Sequence, residues 1–283
     1  MSVPGAIVRF AETRESLDKL NDLASGWVKR LTRRRAVKNL LSGTGLGHPL
    51  HPLLTDVPIG AWTMASMLDL TAGRRGADAA RRLVGVGVLG AVPTIASGAA
   101  DWSDTYGPEQ RLGHVHAIAN IVGTLLQTGS WLARRRGRRG TGVLLSLTGI
   151  GVTAAAGYLG GALSFGRGVG VNHTAFEEAP EGWVDVAADA DLQQDRPLRV
   201  DAAGTPVMLV RHRERIRALS ATCVHAGGPL DEGEIVGDAV RCPWHGSEFR
   251  LADGQPTRGP AAISQPVWNV KVEAGRVLVR PRA

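Results

Sequence analysis

The residues of this 283-residue chain best suited to hold a metal are two cysteines and eight histidines, and each cysteine stands close to a histidine. Cys223 precedes His225 in ATCVHAGGPL, and Cys242 precedes His245 in RCPWHGSEF, with sixteen residues between the pairs. Thiolate and neutral imidazole are ligands for zinc and for iron, and four such donors suit a tetrahedral zinc site. Zinc fingers usually pair Cys with Cys and His with His along the chain, whereas here each segment offers one of each. If both thiols hold metal, none is left for a disulfide, and cysteine usage says nothing about the redox compartment.

The sequence around these pairs resembles the Rieske family. AGGPLDEG after His225, CPWHGSEFRLADG and RGPAAISQPVWNVKV follow one another in the family's order, from about Trp183 to the C-terminus. The resemblance implies a [2Fe–2S] cluster with two thiolates on one iron and two imidazoles on the other, held by Cys223, His225, Cys242 and His245. With both cysteines so used, the disulfide that joins the cluster loops in cytochrome bc complexes is not available. The segments are therefore closer to the ferredoxin type, including the ferredoxin-like domains of ring-hydroxylating systems.

The same resemblance places Ser247 as donor of a hydrogen bond to a bridging sulfide, which raises the potential. It places Phe249 where high-potential members carry a tyrosine, and Pro260 in the RGPA loop that covers the cluster. One donor kept and one absent imply a potential in the middle of the Rieske span of roughly −150 to +300 mV. A ring nitrogen left on each ligand imidazole lets electron uptake draw a proton. A Rieske oxygenase needs a further mononuclear-iron domain, and no histidine follows His245. The expectation is an electron carrier or oxidoreductase component rather than a stand-alone enzyme.

The elements that must carry these residues differ between the two halves. Residues 1–175 hold 20 Lys+Arg against 10 Asp+Glu, and residues 176–283 hold 13 against 16, so the first half carries +10 and the second −3 of the net +7. Basic loops between apolar runs indicate a membrane protein rather than a nucleic-acid partner. Residues 83–100, 112–133 and 140–166 contain no Asp, Glu, Lys or Arg, and about 53–73 is apolar apart from Asp56 and Asp69. Four transmembrane helices are predicted over these runs. Gly157 and Gly161 form a GxxxG pair suited to close helix packing. GVGVLG at 85–90 sits inside an uncharged run with no strand before it, which excludes a dinucleotide loop.

Within residues 1–45, Leu17, Leu20, Leu23, Trp27 and Leu31 recur at helical spacing among basic residues, a pattern for a helix lying on lipid or on the bundle, with a solvated, partly frayed arm as the alternative. No apolar core of signal-peptide length opens the chain. From Trp183 onward short alternating runs broken by Gly, Pro and Asp predict an all-β domain, a small antiparallel sandwich or barrel over 176–283. The fold class is thus multi-domain: an all-α four-helix transmembrane bundle over 46–175, then the β domain.

Residues 46–171 resemble a family of bacterial predicted membrane proteins, domain of unknown function 2231, on the motifs GHPLHPLLTDVPIGAW, GHVHAIAN and YLGGALSFGRGVGV. That likeness supplies no activity, so function must come from the residues. With four helices, His48, His51, His114, His116 and His173 fall on one membrane face, with Asp56 and Asn120 one helical turn inward. Interfacial imidazoles can simply cap helix ends. They can also hold haem b between two rings, bind a metal ion, or serve a quinone or quinol site with Asp56 moving protons.

The functional expectation is a membrane-bound electron-transfer protein that passes electrons between its [2Fe–2S] cluster and a haem or quinol site. The alternative is a Rieske ferredoxin anchored by an inert bundle and serving a soluble reductase or oxygenase. Expected partners are a redox protein or quinol, and membrane lipid. Positive-inside counting places the nine arginines of AGRRGADAARR and ARRRGRRG in the cytoplasm and the β domain outside the bacterial cytoplasmic membrane, on the side of the N-terminus.

Overall fold

A computed structural model of the chain describes residues 3–282; residues 1, 2 and 283 of the expected end segments lie outside the described residues. Seven α-helices come first among them: α1 (Val3–Glu12), α2 (Asp18–Leu31), α3 (Arg35–Ser42), α4 (Leu50–Thr71), α5 (Ala77–Trp102), α6 (Gly107–Arg135) and α7 (Arg139–Gly161). The four long helices lie on the expected runs. The count is seven rather than four because the segment expected as one amphipathic piece folds into three further helices. The chain divides into two compact units. One consists of the residues up to Arg33 with Leu50–Val169, and the other of Arg34–Pro49 with the residues from Gly170 onward.

In the helical unit many large apolar side chains face outward, and polar ones lie buried beside small apolar clusters such as Ala65, Ala80 and Val84. Leu53, Val57, Met64, Leu70, Leu89, Val92, Leu125 and Leu144 are exposed, whereas Ser66, Asp69, Gln127, Ser130, Ser146 and Thr153 are buried. Gln127 Nε2 donates to Ser146 O (3.1 Å) and Ser146 Oγ to Gln127 Oε1 (3.0 Å), so this pair satisfies itself between α6 and α7, whereas Ser66 Oγ has no hydrogen-bond partner. Large apolar side chains outside and small or hydrogen-bonded ones inside are what packing in lipid favours. Ala77–Trp102 and Arg139–Gly166 are long and apolar enough to cross a membrane, by length and composition. The other two expected spans fall short on that measure, because Asp56 and Asp69 in α4 and His114, His116, Asn120 and Gln127 in α6 lower their hydropathy.

Glycines let tryptophans through. A Cβ at Gly87 would lie 2.2 Å from Trp62 Nε1, and one at Gly85 would lie 2.8 Å from Trp131 Nε1. Those two glycines of the GVGVLG run are packing sites inside α5. The GxxxG expectation is corrected: a Cβ at Gly157 would meet nothing within 4 Å, and one at Gly161 only Phe165. It is Gly160, between them, that faces a neighbour. At the arginine-loop end Arg134 holds Asp69 with both terminal nitrogens, Nη1 at 3.0 Å, and both side chains are buried. α2 turns Asn21 and Ser25 inward and leaves Leu20, Leu23, Trp27 and Leu31 exposed.

The second unit is built from ten antiparallel strands. β1 (Val184–Ala188), β2 (Leu198–Ala202), β3 (Thr205–His212), β4 (Arg215–Ser220), β9 (Val267–Glu273) and β10 (Arg276–Pro281) form one sheet, in the order β1-β10-β9-β4-β3-β2. β5 (Glu234–Val236), β6 (Ala239–Arg241), β7 (Glu248–Arg250) and β8 (Pro256–Arg258) form the second, in chain order. β3 is buried on both faces: Val207 and Leu209 join one core, with Trp268, Val277 and Val279, while Met208 and Val210 join another, with Leu219, Val240 and Phe249. This follows from the two-residue period of a strand. The second core lies beneath the two cysteine-bearing loops.

Residues 34–49 did not remain with the rest of the basic N-terminal segment. They form an arm of α3 and a short 3₁₀ turn (Thr44–Leu46) that packs on the small sheet. Hydrogen bonding explains the transfer. Arg35 pairs with the buried Glu248, Asn39 Nδ2 donates to Thr257 O (3.1 Å), and Thr44 Oγ1 donates to Ala261 O (3.0 Å).

Candidate metal centre and the helix-embedded histidines

The two cysteine loops share one backbone design. In the first, Cys223 N donates to Gly228 O (2.8 Å) and Gly227 N to Cys223 O (2.8 Å). In the second, Cys242 N donates to Ser247 O (2.8 Å) and Gly246 N to Cys242 O (3.1 Å). Each loop closes on a glycine four residues after its cysteine, and both glycines need positive φ, 75° at Gly227 and 72° at Gly246. The loops meet at Gly228, where a Cβ would lie 2.9 Å from Cys242 Sγ. Cys223 and Cys242 are buried and close enough to interact electrostatically, and the His225 and His245 ring centroids lie 5.0 Å apart. The two thiols thus form one pair and the two imidazoles another, while among the described residues no three His, Cys, Asp or Glu side chains converge on a single ion position.

Thiols and imidazoles must be deprotonated to bind metal. The mutual interaction of the two buried thiols pushes Cys223 up and brings Cys242 down to about 7. Burial lowers the His225 pKa to about 3, with the charges of His245, Lys38 and His173 adding to it, so the ring stays neutral. Its Nδ1 is buried and has no hydrogen-bond partner. A buried imidazole nitrogen without a partner beside a thiol pair is what a metal-binding donor set looks like before metal is considered. The residues fit a two-iron cluster, in which thiolates and imidazoles serve different irons.

Around the pairs, Ser247 is fully buried and its Oγ accepts from Ala261 N (3.0 Å), which leaves the O–H free to point elsewhere. Phe249 is fully buried in the core under the loops, and Pro260 is buried in the adjoining loop. Several supporting residues escaped sequence reasoning. Gln265 accepts from Val224 N (3.0 Å) and donates to Ser220 O (2.8 Å) and Thr222 O (2.6 Å), fastening the first loop. The buried Glu248 pairs with Arg241 and Arg35. His173 packs against Gly227, its N donating to Val224 O (3.1 Å). The glycine four residues after each cysteine was a signal in plain view; the long-range partners of Gln265 and Glu248 left none.

The six residues grouped for a haem or quinol site are only partly assembled. His51 Nδ1 donates to Thr94 O (3.0 Å), and His116 Nδ1 donates to Ala156 O (2.8 Å). In both cases a glycine four residues past the carbonyl makes room. A Cβ at Gly98 would lie 2.6 Å from His51 Cε1, and one at Gly160 would lie 3.0 Å from His116 Cε1. The α4–α5 and α6–α7 hairpins thus present equivalent imidazoles, close enough to interact electrostatically. Asn120 Nδ2 donates to His116 Nε2 (3.1 Å) and to its carbonyl (3.0 Å). His114 instead stacks edge-on with Trp102, ring centroids 5.9 Å apart. Asp56 is exposed, because five residues turn it about 140° around α4 from His51. His48 belongs to the arm of the other unit, is exposed, and its Nδ1 bonds Pro49 O (2.8 Å).

Two family models match the chain. One described as a Rieske [2Fe-2S] domain covers residues 182–269, and one described as a predicted membrane protein (DUF2231) covers residues 47–173. Ferredoxin CarAc of Metapseudomonas resinovorans is 34% identical over 98 residues, 34% of this chain and 92% of that protein. The ferredoxin component of the alkene monooxygenase system of Xanthobacter autotrophicus is 35% identical over 98 residues, 80% of its length. Apoptosis-inducing factor 3 of Homo sapiens is 34% identical over 90 residues, and the chain spans 15% of that protein. Among solved structures, the ferredoxin of carbazole 1,9a-dioxygenase from Nocardioides aromaticivorans IC177 matches with 31% identity and a TM-score of 0.34, covering 36% of this chain and all of that one.

Proposed function

The chain belongs to the Rieske [2Fe–2S] family and carries beside that domain a predicted membrane domain, and on this premise we propose a membrane-bound electron-transfer protein whose cluster exchanges electrons with a second redox site among the helices. The observation that carries the proposal is the matched pair of imidazoles, His51 and His116, one from each helical hairpin, each fixed by its Nδ1. Fixing one ring nitrogen on a carbonyl sets the tautomer and leaves Nε2 as the electron-pair donor, as metal-bound histidines do; in His116 that lone pair accepts from Asn120 Nδ2 (3.1 Å), a bond that a metal would have to displace. A haem held there would supply one-electron chemistry at the membrane face. A quinol is the other candidate, with Asn120 and the imidazoles as hydrogen-bonding groups.

Cys223, His225, Cys242 and His245 are assigned as the cluster ligands, and the buried thiols and neutral imidazole support this. Ser247 is assigned as the donor to a bridging sulfide, and Phe249 supplies no second donor, which supports a potential in the middle of the Rieske span. All four long helices are assigned as membrane-crossing, supported by their apolar outer surface and the polar groups buried between them. α2, with its leucines and Trp27 outward, is assigned to the lipid surface. The β domain is assigned to the side opposite the arginine loops, by their charge.

The second reading, a ferredoxin serving a soluble oxygenase or reductase with the bundle as anchor, rests on the ferredoxin relatives and on exposed Trp244 beside His245. Optical spectra of the full-length protein in detergent, oxidised and dithionite-reduced, separate the two. Cluster bands with a Soret band that shifts on reduction and disappears in His51→Ala and His116→Ala support the haem-linked reading. Cluster bands alone, with no quinol oxidation, sink it in favour of the anchored ferredoxin. Loss of the cluster bands in Cys223→Ser and Cys242→Ser checks the ligands, and a midpoint at either extreme of the Rieske span refutes the roles given to Ser247 and Phe249.

A further inference from the structure

We propose that Asn39 and Thr44, more than 130 residues before the cysteine-bearing segments, are positioning residues that help set the cluster's reduction potential by holding the 257–261 loop against Ser247. The inference rests on the assignment of Ser247 as a donor to the cluster.

The contacts form a continuous path. Asn39 Nδ2 donates to Thr257 O (3.1 Å) while its Oδ1 accepts from Gly259 N (2.9 Å). The side-chain amide therefore pairs with the backbone as a neighbouring strand would, and it does so on β8, the edge strand of the small sheet. Two residues on, the Ala261 peptide is held from both sides. Its C=O accepts from Thr44 Oγ1 (3.0 Å), and its N–H donates to Ser247 Oγ (3.0 Å). The fit is close: a Cβ at Gly259 would lie 2.9 Å from Thr44 Oγ1 and 3.1 Å from Ser42 Cβ.

The hydroxyl of Ser247 is the adjustable part. One of its lone pairs is fixed by Ala261 N–H, so its own hydrogen must point away from that amide. If the loop shifts, the hydroxyl regains rotational freedom and can spend its hydrogen on another acceptor. A donor aimed at the cluster favours the electron-rich reduced form, so loosening it lowers the potential. The arm's neighbours in sequence, Arg33 and Leu50, both belong to the helical unit, so the grip on this loop comes from a segment tied at both ends to the other unit. Lys38 on the same arm contributes charge near His225. Thr44→Val leaves charge and shape unaltered, which separates the two effects.

The test is an EPR-monitored redox titration of the full-length protein in detergent for wild type, Thr44→Val, Thr44→Ser, Asn39→Ala, Ser247→Ala and Thr44→Val/Ser247→Ala. Thr44→Val and Asn39→Ala are expected to lower the midpoint, Thr44→Ser to restore it, and the double variant to match Ser247→Ala alone. Hydrogen exchange in the 257–263 peptide is expected to speed up in Thr44→Val and Asn39→Ala. A lowered midpoint in Ser247→Ala with a wild-type midpoint in Thr44→Val overturns the role of the arm. An unchanged midpoint in Ser247→Ala overturns the proposal at its premise. Additive shifts in the double variant show that Thr44 acts by another route and overturn it as well.

Discussion

Neutralising Asp69 is expected to unlock the helical unit while leaving the iron–sulfur centre intact. Asp69 lies in the last turn of α4, and its side chain is 0% exposed; Arg134 near the end of α6 is 3% exposed and holds both carboxylate oxygens. Arg139 at the start of α7 adds a looser contact at 3.3 Å and is a third exposed, a surface-scale contribution below about 1 kcal/mol. Asp69→Asn keeps the shape but strands the Arg134 guanidinium, whose remaining bond to Ser130 Oγ at 3.1 Å is to a neutral group. Removing one partner of a buried pair costs about 3–5 kcal/mol. Asp69→Leu with Arg134→Met removes both charges and is expected to recover most of that loss, since apolar groups of similar volume replace buried ion pairs at little cost.

Denaturation of the full-length protein in detergent, followed by circular dichroism with cluster absorption read in parallel, measures both units. The helical transition of Asp69→Asn should move by about 3–5 kcal/mol while the cluster bands persist. A loss below about 1 kcal/mol, or a double variant no more stable than the single one, would refute the reasoning.

Other expectations follow from the same contacts. Phe249→Ala empties the core beneath both cysteine loops and should cost about 3–5 kcal/mol, with faster cluster loss on heating as the readout. Gly98→Ala forces a methyl group to 2.6 Å from the His51 ring and should cost about 1–3 kcal/mol and disturb any Soret band. Gly157→Ala, with open space around it, should be neutral or stabilise by up to about 1 kcal/mol in the same melts. After iron chelation, the burial-lowered His225 should make stability depend on pH. The unfolded chain takes up the proton first, so the contribution is complete above pH 6.5 and declines as pH falls toward 3. Urea unfolding at pH 7.5 and 5.5 should show the weaker protein at 5.5, and equal stabilities would contradict the burial argument.

The sequence by itself determined the chemistry of the metal centre and the class of each half. Cys-x-His and Cys-x-x-His, each with glycine four residues after its cysteine, specify closed loops locally, because turn geometry and ligand type are properties of adjacent residues. Long apolar runs, three of them uncharged, likewise locate α4–α7, since helix length and hydropathy are local sums. What the tertiary structure decided is where distant polar groups find their partners. A basic stretch that reads as lipid-bound became an arm on the small sheet, because Asn39, Thr44 and Arg35 complete backbone groups and a carboxylate more than 200 residues away. Six polar residues expected to share one site were sorted by helix angle and by unit, leaving His51 and His116 as the matched pair. Spacing along a chain fixes direction around one helix, but only packing decides which neighbour stands there to receive it.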